Sequence, residues 1–286
     1  MKIKHILCSI MTLFFMVSSA YGAQFTFKPR VSASEEYTSN VFLSNDNEKD
    51  DWITTVSAGF TAKAIGKTGE LEVSYDPGYR FYRDFDENDG WRHDARLNAY
   101  SNLTKRTRID IRDTFLYTQD PLEEEDILAL RDGNVVQEGD TTFRDGRRTY
   151  YRNTASTRIT NRFGKDDLVY AGFLYSFLRN RDSQEEDNDR YQPEAGLSYW
   201  FGPKFGIETN AAYTKGNFDQ DSDFVGDGSS DFDNWAGTIR GIRRINTHTS
   251  FFAQHNQIYR DYESNDADDN DYLVYAPSAG ITHVVE

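Results

Sequence analysis

The chain reads as all-β: an antiparallel, up-and-down transmembrane β-barrel with about 12 strands present in an incomplete barrel. Three observations lead there. Apolar and polar residues alternate with period two in window after window. The alternating stretches are long enough to cross a bilayer at a tilt, which takes about 9–11 residues. The connections between them are alternately short and long.

The first residues stand apart from that pattern. Lys2 and Lys4 precede an apolar run from Ile6 to Val17, and small residues follow up to Ala23. This is the layout of a secretory signal peptide. We assign residues 1–22 to it and residues 23–286 to the barrel. Cys8, the single cysteine, lies within the apolar run, so no disulfide or thiolate chemistry is expected after cleavage.

The strands follow in order, at 25–42, 52–65, 70–83, 91–103, 107–118, 148–161, 167–181, 190–201, 205–216, 232–245, 249–260 and 271–285. The third shows the pattern well. Leu71, Val73, Tyr75, Pro77, Tyr79 and Phe81 share one face, and Glu70, Glu72, Ser74, Asp76 and Arg80 share the other. Pro29, Pro77, Pro193 and Pro277 fall inside strands, where each removes a ladder N–H, and the last three, in similar settings, read as bulges or bends. Three stretches fit the alternation less well. Asp113 falls with Ile111 and Phe115, His255 and Gln257 fall with Phe251 and Tyr259, and Arg240, Arg243 and Arg244 crowd one strand end. A bulge or a slipped register is the expected reason.

Composition agrees with this architecture. The net charge of −15 argues against a nucleic-acid partner, whose phosphates need Lys and Arg. A mean hydropathy of −0.74 excludes a bundle of membrane helices. It does not exclude a barrel, in which half of each strand faces away from lipid. Most of the 47 acidic residues lie in the long connections, whereas the short turns hold Lys67, Lys105, Arg106, Arg162, Lys165 and Lys204 with Asp166. Aromatics gather at strand ends. Tyr37, Phe42, Trp52, Tyr82, Trp91, Tyr117, Tyr150, Tyr151, Tyr191, Trp235, Tyr259, Tyr262 and Tyr272 lie toward the loops, and Trp200, Phe201, Phe205, Phe251 and Phe252 toward the turns. Two such girdles are expected where amphipathic rings meet headgroups.

The stretch Phe25-Thr-Phe-Lys-Pro29-Arg-Val-Ser-Ala-Ser-Glu-Glu-Tyr37-Thr-Ser-Asn40-Val-Phe-Leu43 resembles the opening of the β-barrel porin 2 family. The segments beginning at Trp52 and at Tyr191 are similar to that family as well. The resemblance implies an outer-membrane barrel of the kind associated with exopolysaccharide loci. It implies no catalytic residues. Members of such families end on an aromatic that the assembly machinery reads, whereas this chain ends His283-Val-Val-Glu286. We therefore expect a fragment, with twelve strands as a lower bound.

The functional expectation is a passive pore or export-associated channel for polar solutes or polysaccharide, in the cell outer membrane of a Gram-negative bacterium. If the apolar face meets lipid, the lumen is lined by Glu72, Asp76, Arg80, Arg92, Asp94, Arg96, Asp110, Arg112, Arg152, Arg158, Glu194 and Glu208. The expected partners are outer-membrane lipid and lipopolysaccharide, the barrel assembly machinery and polysaccharide export components. No cofactor is expected. Asp219-Gln-Asp221-Ser-Asp223 begins like a calcium loop, but Phe224 and Ser230 stand where such a loop needs Gly and Glu, so only weak divalent binding by acidic loops is foreseen. His93, His248, His255 and His283 show no metal-ligand spacing. Ser229 and Ser230 lack a nucleophile elbow, so the chain reads as not an enzyme. Two alternatives remain open: a secreted soluble β-sandwich that binds glycans, and a barrel enzyme acting on lipid.

Overall fold

In the computed structural model the described residues are 23–42, 47–119, 148–181, 187–219, 231–262 and 271–284. The signal segment, most of the long connections and the calcium-like stretch beyond Asp219 lie outside them.

Among the described residues, twelve strands form one sheet in sequence order. They are β1 (Gln24–Thr38), β2 (Asp51–Ile65), β3 (Gly69–Tyr82), β4 (Gly90–Asn102), β5 (Thr107–Thr118) and β6 (Tyr150–Arg162). Then come β7 (Leu168–Asn180), β8 (Asp187–Trp200), β9 (Phe205–Asp219), β10 (Phe232–Arg244), β11 (Thr249–Tyr262) and β12 (Tyr272–His283). Every neighbouring pair is antiparallel. Each strand has 12 to 15 residues, against roughly 5–6 in an ordinary soluble sheet. No helix among the described residues is long and apolar enough to cross a membrane.

This is the wall of an up-and-down barrel with its seam open. Among the described residues β1 pairs only with β2, and β12 only with β11. In hydrocarbon the outer edge of each would leave its N–H and C=O groups unsatisfied, so the ladder describes the wall but not its closure.

The register corrects two expectations. No residue is inserted at any of the four prolines: pairing keeps one offset past Pro29 and Pro277 and on both sides of Pro77 and Pro193. Rows are missing only beside Pro77 toward β2 and beside Pro193 toward β9, where the ring offers no donor. All four prolines lie on the apolar face. The strand carrying Asp113 is likewise regular, so that carboxylate belongs where the alternation put it. Asp113 stands between Leu97 and Ala155 in the ladder, and Asn153 Nδ2 donates to its Oδ1 at 2.6 Å. Strands β10 and β11 also keep one offset throughout, which places His255, Gln257 and Arg243 on the apolar face.

The first strand ends earlier than expected, at Thr38. The run Val41-Phe42 continues the apolar pattern but folds back instead, and Val41 N–H donates to the Lys49 carbonyl at 2.7 Å. Val41 then packs, fully buried, against Ile53 and Tyr82, with Phe42 edge-on to Phe85 at 4.9 Å. A short 3-10 turn at Asp86–Asn88 completes this loop-end cluster.

Candidate functional site: the polar face of the wall

Period-two alternation and a constant register sort every strand residue onto one of two faces. One is apolar. Across β3, β4 and β5 it runs Tyr75, Ala95, Phe115 in one row and Val73, Leu97, Asp113 in the next. Its loop-end rim is an aromatic belt, with Tyr37 against Trp52 at 5.2 Å, Tyr79 against Trp91 at 5.3 Å, Tyr175 against Tyr191 at 5.0 Å and Tyr213 against Trp235 at 4.5 Å. The girdle foreseen from sequence is thinner than expected. Tyr82, Tyr150, Tyr262 and Tyr272 near the loops, and Trp200 and Phe252 near the turns, lie on the opposite face. Phe42 lies outside the strands.

The other face is polar, and all twelve candidate residues fall on it. They are Glu72, Asp76 and Arg80 on β3, Arg92, Asp94 and Arg96 on β4, Asp110 and Arg112 on β5, Arg152 and Arg158 on β6, Glu194 on β8 and Glu208 on β9. The set is six acids and six arginines. Sequence alone did not show how they combine.

Among the described residues, two ion pairs reach across a whole intervening strand. Arg30 on β1 binds Asp76 on β3, passing over Gly59 on β2. Arg158 on β6 binds Glu194 on β8 at 2.6 Å, passing over Gly172 on β7. Any side chain on the middle glycine would run into the carboxylate. A Cβ on Gly172 would sit 2.5 Å from Glu194 Oε1. Glycine is therefore required by the crossing itself.

Toward the turn end, four arginines repeat one unit: a ring on one side and a carboxylate on the other. Arg108 lies 4.0 Å from the Tyr100 ring centre and 2.6 Å from Asp110. Arg158 lies 4.5 Å from the Tyr170 ring and pairs with Glu194. Arg240 lies 4.2 Å from Phe252 and 3.6 Å from Glu208. Arg244 lies 3.5 Å from Trp200 and 2.8 Å from Asp166. The guanidinium plane suits both contacts, and partial shielding strengthens the stacking. In the turn after β6, the hydrogen bond from Arg244 holds the Asp166 carboxyl below its ordinary value, against an opposing push from burial. Arg96 brackets Asp94 at 3.0 Å, with Arg92 at 3.7 Å. At the loop end, Arg260 is 3% exposed among Phe232, Tyr262 and Tyr272. Among the described residues no group of three or more His, Cys, Asp or Glu is placed to hold a metal ion.

Twelve membrane-length strands with one apolar, aromatic-rimmed face and one charged face define an outer-membrane β-barrel protein, and the chain belongs to the outer membrane. No family model and no curated protein matches it. Similar solved structures include OmpT (in-vitro folded), an outer membrane protein of Vibrio cholerae, at 8% identity and a TM-score of 0.42, covering 91% of this chain and 94% of that one. The loop L8 deletion mutant of OmpT matches at 8% identity and a TM-score of 0.40, covering 90% and 99%. The COG4313 outer membrane channel from Pseudomonas putida F1 matches at 9% identity and 0.41, covering 92% and 96%. One expectation is corrected here. The reading that the chain is not an enzyme is withdrawn, because an outer-membrane β-barrel fold does not by itself fix an activity.

Proposed function

We propose that the polar face lines an aqueous lumen and that the protein is a passive, export-associated channel for polar solutes or polysaccharide. This is the role implied by the resemblance of the residues from Phe25 to Leu43 to the β-barrel porin 2 family. One observation carries the reading. The twelve charged residues share one face of a twelve-strand wall, while the face behind them is apolar. Charges of both signs are mixed on that face, and several pair across it. Such a wall keeps water and hydroxylated solutes inside without attracting one ion strongly, so size rather than charge sets what passes. In this reading, lipopolysaccharide, the assembly machinery and polysaccharide export components are the surrounding partners, and the acidic loops bind divalent cations weakly.

Planar-bilayer recording with the refolded full chain tests this. Discrete conductance steps with weak cation–anion preference are expected. Arg158→Glu, which places two acids side by side over Gly172, should shift that preference toward cations. Insertion without any conductance would refute the channel.

A further inference from the structure

The turn end of the apolar face carries cations that the polar face does not account for. Arg240, Arg243 and Arg244 follow one another at the end of β10. Arg240 and Arg244 point to the polar face, where Glu208 and Asp166 pair with them. Arg243 lies on the other face. It stands in register with Phe205 on one side and Phe251 on the other, its guanidinium 5.5 Å from the Phe205 ring centre. It is exposed, and no carboxylate among the described residues forms an ion pair with it. Lys204 ends the turn just before Phe205, and its carbonyl accepts the Arg244 N–H at 2.8 Å. That pairing sets Lys204 opposite Arg244, on the polar side, and leaves Arg243 as the cation among the phenylalanines.

The surroundings are apolar and exposed: Phe201 at 66%, Phe205 at 51% and Phe251 at 44%. A similar composition recurs at neighbouring turns. Leu103 precedes Lys105 and Arg106, and Phe163 precedes Lys165, with Leu103 60% and Phe163 43% exposed. These turns thus each set an exposed apolar side chain beside an exposed cation, on a chain whose net charge is −15. An arginine at the mid-plane of a lipid-facing wall costs about 2–4 kcal/mol, and near the interface almost nothing. There it can reach a phosphate while its neighbours stay in acyl chains.

We propose that Arg243 binds the phosphodiester of an anionic phospholipid in the turn-side leaflet, with Phe201, Phe205 and Phe251 against its acyl chains. The proposal rests on the reading that the apolar face meets lipid. It names a partner in the leaflet opposite the acidic loops, selected by headgroup charge.

Native mass spectrometry of the full chain in detergent, titrated with phosphatidylglycerol or phosphatidylcholine, tests it. Phosphatidylglycerol should be retained in preference. Arg243→Gln should weaken its retention about fivefold, the factor one basic side chain contributes at an anionic surface. Arg243→Lys should keep most of the preference, and Lys67→Gln, at a distant turn, should leave it unchanged. Equal retention of the two lipids, or no loss in Arg243→Gln, overturns the proposal. Displacement of the lipid by millimolar inorganic phosphate also overturns it, since it would mean an anion site without acyl-chain contact. Heat-modifiable migration of each sample separates the two levels. A chain that inserts but shows no headgroup preference refutes only this site. A chain that fails to insert refutes the lipid-facing reading beneath it.

Discussion

Asp113 offers the most direct test of which face meets lipid. It lies mid-strand on β5, opposite Leu97 and Ala155, and among the described residues its carboxylate accepts a hydrogen bond from Asn153 Nδ2 at 2.6 Å. The perturbation is Asp113→Leu. A lipid-facing Arg or Lys at mid-plane costs about 2–4 kcal/mol and an Asp less, so its removal should return about 1–2 kcal/mol. The lost hydrogen bond takes back about 1 kcal/mol. Asn153 Nδ2 keeps its second contact, to the Thr114 carbonyl at 3.1 Å. A leucine side chain placed against acyl chains adds about 1.5 kcal/mol. The variant should therefore be about 2 kcal/mol more stable than the parent. Were that face in water, the acyl gain and the charge relief would both vanish, leaving a loss of about 1 kcal/mol. Asp110→Leu is the control on the polar face. It breaks the half-exposed pair with Arg108 and should cost about 0.5 kcal/mol. The assay is urea unfolding of the chain refolded into phospholipid vesicles, read by fluorescence of Trp52, Trp91, Trp200 and Trp235. Destabilisation by Asp113→Leu together with stabilisation by Asp110→Leu would refute the assignment of the faces.

Further outcomes follow from the same geometry. Gly172→Ala should be near neutral in the parent, because displacing Glu194 from Arg158 offsets the gain of about 0.4–1 kcal/mol from replacing glycine. In a Glu194→Ala background the same change should stabilise by that gain, and a coupling below about 0.3 kcal/mol in the urea cycle would mean the glycine serves another purpose. The depressed Asp166 carboxyl contributes stability that is present above its ordinary value of 3.8 and is lost as pH falls through its lowered folded value. Arg244→Gln should therefore flatten the acid limb of the stability curve by a small amount, the pair being about one third exposed, and an unchanged limb would count against the pairing. Val41→Ala should cost about 1.5 kcal/mol from two lost methyl groups in a fully buried cluster, and should speed proteolysis at the loop end.

The strands were legible because alternation is a local signal, and eleven of the twelve expected spans fall close to the observed ones. The first strand was overextended because Val41-Phe42 continues the pattern, and only the partners Ile53 and Tyr82 reveal the fold-back. The twelve charged positions were assigned to one face by parity alone. Their pairings were not legible, because Arg158 meets Glu194 only once the registers of two ladders are known. Asp113 was visible as a misfit, but its partner is 40 residues away. The prolines misled for a related reason. A missing donor signals either a bulge or a plain gap in the ladder, and the sequence around Pro77 carries no mark that separates the two.

The ion pairs that leap a strand also bear on how such a wall is laid down. Among the described residues every strand pairs with its neighbours in sequence, so the sheet can grow hairpin by hairpin, with a short loop to close at every second step. Arg30 and Arg158 gain their carboxylates only when the second strand after their own has arrived. Each pair is therefore a contact that a lone hairpin cannot make and a three-strand meander can. Two such checkpoints, one at β1–β3 and one at β6–β8, would make early slippage of register unprofitable in the two halves of the chain separately, before any seam exists to hold the whole.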